Sequence, residues 1–234
     1  MSTNKASNRE RIVETALALF NAHGVGAVTT NQIAEAAGVS PGNLYYHFRN
    51  KQEIIREFFP RIELALKAGF DFPKAWPLSP ERMVKDYVDG IALLWDYRFF
   101  FGALVDLVRS DNEIADFYAR IEDWSLEAMT DFYLKLIRDG QMSLPGSRAR
   151  VADLARKTVT LWFSIVSFLR MRRADEEIAR ADIIDGGLQC FFDIEPYLEE
   201  EFARPIRRKL EAMRRAAKET AEEAPAPKRA GARI

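Results

Sequence analysis

The chain has 234 residues, 48% of them hydrophobic and 29% charged, with a formal net charge of −1. That balance belongs to a globular protein with a proper core and excludes a disordered, fibrous or low-complexity chain. One cysteine, Cys190, excludes an internal disulfide framework and a thiolate zinc cluster, and two histidines, His23 and His47, exclude a multi-histidine metal site. No metal and no cofactor is expected.

The apolar stretch from Thr158 to Leu169 is shorter than the roughly 20 residues a membrane helix needs. The opening MSTNKASNRER lacks the apolar centre of a signal peptide, so the expectation is a cytoplasmic protein. Charge is distributed unevenly. Residues 1–60 are close to neutral, residues 61–203 are strongly acidic and residues 204–234 are basic, which suggests different tasks along the chain.

Helical periodicity dominates, and no segment alternates with period two, so the fold class is all-α. Ile12, Val13, Ala16, Leu17 and Phe20 form one apolar stripe, capped by Ser7 or Asn8 and ended by Gly24. Thr29 or Thr30 caps a short helix holding Ile33, Ala34 and Ala37, and Gly38 breaks it. Ser40-Pro41 starts a two-turn helix to His47, with proline at the first position where its missing N–H costs nothing. Asn50 caps a longer helix towards Phe70, which Pro60 should kink or interrupt. A proline-rich loop over 71–80 precedes further helices near 80–97, 99–109, 112–139, 148–173 and 181–202. The tail from 204 is expected to begin as a basic helix and then fray or lose order.

Two short helices split by AAGVS and preceded by a longer one have the layout of a helix-turn-helix. Small Ala34 and Ala37 allow close crossing, and Val39, Leu44 and Phe48 can face Phe20 and Ile33. Pro41, Gly42, Asn43, Tyr45, Tyr46 and His47 are left for an outer face. Those small or hydrogen-bonding residues suit a phosphate backbone and base edges.

Residues 9–56, and above all Thr29–Lys51 with the text TTNQIAEAAGVSPGNLYYHFRNK, resemble the DNA-binding domain of the tetracycline-repressor (TetR) family of bacterial regulators. The resemblance covers about a fifth of the chain. It implies a three-helix DNA-binding domain over 1–56, a helical ligand-binding and dimerisation domain over 57–203, and a basic tail over 204–234. It implies that Thr30 and Lys51 touch phosphates, and that Tyr45, Tyr46 and His47 touch phosphates and some bases. Pro41, Gly42 and Asn43 would then enter the major groove of double-stranded DNA. The implied partners are a palindromic operator, a second copy of the chain joined through helices near 148–173 and 181–202, and a small-molecule effector. The implied function is repression released by an apolar or amphipathic ligand.

Aromatic residues crowd the acidic middle. Trp95, Phe99, Phe100, Trp124, Phe132 and Trp162 are the candidate pocket residues, although most large rings of such a domain must simply be core. Two rival readings remain: a structural DNA-binding protein without ligand control, and an all-helical enzyme with a carboxylate site. No HExxH, Walker loop or GxSxG supports the second.

Overall fold

A computed structural model of the chain describes residues 7–69, 77–144, 147–172 and 178–223. Helices α1 (Asn8–His23), α2 (Thr30–Ala36) and α3 (Pro41–His47) form an N-terminal unit, and α4 (Lys51–Arg56) leads out of it. The larger unit comprises α5 (Phe59–Gly69), α6 (Pro80–Asp96), α7 (Arg98–Gly102), α8 (Leu104–Ser110), α9 (Asn112–Arg138), α10 (Arg148–Arg172), α11 (Arg180–Ile194) and α12 (Glu200–Glu223). The described residues contain no strand beyond an isolated bridge between Met142 and Leu198.

The starts of the helices follow local chemistry. Ser7 and Thr29 each accept a backbone N–H three residues on, while Glu10 and Gln32 reach back to close the two capping boxes. Ser40 and Ser79 cap α3 and α6, each followed by proline at the first helical position. Asp111 caps α9 by accepting from the N–H of Ile114. Each such cap stabilises its helix by about 1 kcal/mol.

Three expected helices differ. The one predicted from 51 breaks at Glu57 and Phe58, because Pro60 has no N–H to donate to the carbonyl four residues back. The 99–109 helix is two short helices, α7 and α8, parted at Ala103. The 181–202 helix ends at Ile194, where a 3-10 turn (Glu195–Tyr197) holds Pro196.

The tail boundary at 204 also needs correction, since it falls inside α12. Phe202, Ile206 and Leu210 are buried at helical spacing within a basic sequence, and α12 packs on α6 and α11 through that stripe. Its cations face acids: Arg207 pairs with Glu195 and Glu200, and Arg214 with Asp185. Residues 224–234, and most of the loop expected over 71–80, lie outside the described residues.

Aromatic side chains join the two units. Phe99 of α7 packs against Phe20 of α1 and Phe58, at 5.5 and 5.3 Å between ring centres. Within the larger unit, Phe59 at the start of α5 stacks flat on Phe117 of α9 at 4.0 Å. The guanidinium of Arg56, at the end of α4, pairs with Asp111 and Glu113 at the start of α9. No helix among the described residues is long and apolar enough to cross a membrane.

Candidate nucleic-acid interface and effector cavity

The exposed face of α3 carries the expected side chains. Leu44 and the following Phe48 are buried with Phe20 and Ile33, which fixes the helix by its inner side. Pro41, Gly42, Tyr45 and Tyr46 then point outward, with Tyr46 83% exposed. The turn before α3 needs Gly38, whose φ of 64° is left-handed backbone that other residues adopt at a cost. A Cβ on Gly42 would meet nothing within 4 Å, so the absence of a side chain there is not required by the fold.

The polar groups around α3 are already organised. Thr30 Oγ1 and the Tyr45 hydroxyl lie 3.0 Å apart, joining the start of α2 to α3. The Tyr46 and His47 rings meet edge to face at 5.1 Å. Asn43 is half-buried, and its Oδ1 accepts from Nδ2 of Asn8 at 3.1 Å, so α1 orients that amide. Asn8 is a contact that sequence reasoning missed, because nothing in the spacing links residues 35 positions apart.

Lys51 is placed differently from a freely projecting lysine. Its ammonium donates to the carbonyls of Val25 at 2.5 Å and Val28 at 2.9 Å, which clasps the loop between α1 and α2. Burial of the ammonium lowers its pKa. Two of its three N–H groups are thus engaged.

The larger unit holds a partly open cavity of about 110 Å³. Helices α5, α6, α7, α9 and α10 supply most of its wall, and the wall is almost wholly apolar. Of the six expected pocket residues, Phe132 and Trp162 belong to that wall. Trp95, Phe99, Phe100 and Trp124 lie outside it. Phe99 and Phe100 are fully buried in the aromatic layer between α7, α9 and the N-terminal unit. Trp95 carries the Arg98 guanidinium on its ring at 4.1 Å, and Trp124 lies beside the Lys67 ammonium.

Two polar positions beside the site escaped the sequence reading. Asp86 lines the cavity on α6, one turn beyond Arg82, whose Nε donates to Asp86 Oδ1 at 2.8 Å. Burial pushes its carboxyl up to about 6. A carboxylate three residues after Met83 and next to Tyr87, both buried, was the available signal. Asn21 is a buried amide beside Phe20 on α1. It donates to the Asp96 carbonyl at 2.7 Å and accepts from the Phe99 N–H at 3.0 Å, tying α1 to the α6–α7 corner.

A small helix-turn-helix module fastened to a hollow helical body defines the class. Residues 12–58 match the profile of bacterial regulatory proteins of the tetR family, and residues 61–206 match the profile of the TetR bacterial transcriptional repressor. The chain belongs to the tetR family of bacterial transcriptional regulators. It is 45% identical over 51 residues to the probable acrEF/envCD operon repressor of Escherichia coli K12, which covers 22% of this chain and 23% of that one. It is 46% identical over 83 residues to the regulator SrpR of Pseudomonas putida, 36% of this chain and 39% of that one. The chain thus spans well under half the length of these curated relatives. A solved tetR-family regulator from Marinobacter aquaeolei VT8 is 30% identical, with a TM-score of 0.73 over 91% of this chain and 99% of that one. The SmeT–triclosan complex shares the fold at 16% identity, with a TM-score of 0.54 over 83% of this chain and 93% of that one.

Proposed function

We propose that the protein is a homodimeric cytoplasmic repressor that grips a palindromic operator through α3 and lets go when a small apolar or amphipathic molecule fills the cavity. Pro41, Gly42 and Asn43 enter the major groove, and Thr30, Tyr45, Tyr46, His47 and Lys51 hold the flanking phosphates. Phosphate contacts position the module, while base-edge contacts supply sequence preference. With its oxygen held by Asn8, the Asn43 amide offers N–H donors to an acceptor on a base edge.

The observation that carries the regulatory half is the two-sided character of α7. Phe101 forms part of the cavity wall, and Phe99, two residues earlier, packs on Phe20 and Phe58. Anything that moves α7 from the cavity side therefore presses on the body of the DNA-binding module. Closely packed interiors answer such a push by shifting as rigid pieces. The effector favours whichever arrangement it binds better, and only that difference in affinity moves the equilibrium.

A two-turn recognition helix spans only a few base pairs, so a two-fold pair is the economical way to gain specificity. Exposed apolar side chains near the end of α10 support a partner there: Phe168 is 53% exposed and Met171 74%. Ile165 on the same helix is buried under α11, where a Cβ on Gly186 would come within 2.6 Å of it.

The test uses linkage. Molecules that change the tryptophan fluorescence are titrated with and without operator DNA. An effector must bind the DNA-bound protein more weakly by the same factor by which it weakens DNA binding. DNA affinity unmoved by every ligand that fills the cavity would favour a DNA-binding protein without ligand control.

A further inference from the structure

The cavity wall holds a buried acceptor that the fold leaves unpaired. Asp86 Oδ1 is taken by Arg82, whereas Asp86 Oδ2 is buried and accepts no hydrogen bond. Three other polar side chains of the wall, Ser125, Tyr133 and Thr158, already have partners. Ser125 Oγ donates to the Ile121 carbonyl at 2.6 Å, and Tyr133 and Thr158 share a hydrogen bond of 2.7 Å. The rest of the wall near Asp86 is apolar or aromatic, with Trp162, Phe132 and Phe163 among its members.

Building on the cavity as the effector site, we propose that its effector is a small organic cation, a protonated amine on a compact apolar body, with the ammonium donating to Asp86 Oδ2. Three physical arguments converge. A buried acceptor without a donor is costly, and a charged donor repays that cost more fully than a hydroxyl does. Attraction between opposite charges is strong where water is excluded, and the same carboxylate repels an anionic ligand. Faces of tryptophan and phenylalanine attract cations. Size sets the body: about 110 Å³ is of the order of the roughly 150 Å³ engineered cavity that takes a benzene ring. A single ring or a short branched chain is of matching size.

Burial that raises the Asp86 pKa agrees with this, since a cation returns to the carboxylate the stabilisation lost with water. Lys85 and Asp89 on the same helix act on Asp86 with opposite signs, and Arg82 is its main partner.

The experiment is calorimetric titration of the full chain near neutral pH with three probes of similar size: benzylammonium, benzyl alcohol and benzoate. The wild-type protein should bind benzylammonium about tenfold or more tightly than benzyl alcohol, and should bind benzoate weakest of all. Asp86→Asn should remove that advantage and leave benzyl alcohol within about threefold of its wild-type affinity. Benzoate or benzyl alcohol binding the wild type as tightly as benzylammonium overturns the proposal. So does failure of all three to bind, or an Asp86→Asn protein that keeps the amine preference. The wild-type comparison needs no variant, so a folding defect in Asp86→Asn cannot mask the answer. Operator affinity is read separately. Benzylammonium that binds without weakening operator affinity sinks the regulatory reading and leaves the ligand class standing. Release by a neutral or anionic molecule, with no amine bound, does the reverse.

Discussion

The side chain of Asn21 accepts the backbone N–H of Phe99 at 3.0 Å while donating to the carbonyl of Asp96 at 2.7 Å. One buried amide on the first helix thereby serves the end of α6 and the start of α7, the helix that borders the cavity. Removing it leaves a buried N–H and a carbonyl unpaired. Asn21→Ala should cost about 1–3 kcal/mol in urea unfolding. It should also reduce the effect of an effector on operator affinity more than it reduces effector binding itself. Equal coupling in the variant would take Asn21 out of the route.

Gly42 separates folding from DNA binding. The space around it is open and its backbone is helical, so Gly42→Ala should raise stability by about 0.5–1 kcal/mol. Operator affinity should fall, because the added methyl stands where the backbone approaches DNA. Thermal melts and fluorescence anisotropy report the two effects separately. A variant both more stable and equally tight on DNA would move Gly42 away from the interface.

Lys51 has an inward task, and the proposed phosphate contact would be an outward one. Losing its two bonds to the Val25 and Val28 carbonyls should destabilise Lys51→Ala by about 1–3 kcal/mol. Losing a phosphate contact should also flatten the slope of log K against log salt by about one for each subunit. A stability loss with an unchanged slope would leave Lys51 only the inward task.

The fold was legible where chemistry is local. The Ser7, Thr29 and Ser40 caps, and the glycine turn at Gly38, depend on residues within one turn of each other. The outer face of α3 followed from Leu44 and Phe48 turning inward. The cavity wall did not follow, because an aromatic ring in a helical stripe looks the same whether it meets a void or another ring. Phe99 and Phe101 show the difficulty, since they sit two residues apart and serve opposite neighbours. α12 was misjudged because its basic composition hid the Phe202, Ile206 and Leu210 stripe. Asn21 and Asp86 were polar residues among apolar ones, a signal that reports burial without naming the partner.

Asp86 gives a pH signature. Its folded pKa is raised from 3.8 to about 6 by burial, opposed by Arg82. Between those values the folded state holds a proton that the unfolded state has lost, so this group's contribution to stability falls as pH rises through that window. Asp86→Asn has no such proton to lose. The melting temperature of Asp86→Asn relative to wild type should therefore climb between about pH 4 and pH 7 and level off above. A flat difference across that range would mean that the carboxyl is better solvated than its place in the wall implies.

The central claim is that a symmetric pair of α3 helices reads DNA. Selection of binding sites from random duplex DNA tests it most directly, run in parallel with the wild type and Asn43→Ala. The wild type should enrich a palindrome whose half-sites lie about one helical turn, or a multiple of it, apart. Asn43→Ala should enrich the same palindrome with relaxed preference at one matching position in each half, at a cost of about 1–3 kcal/mol on the preferred base. An unchanged motif from Asn43→Ala, or no palindrome from the wild type, would contradict the account.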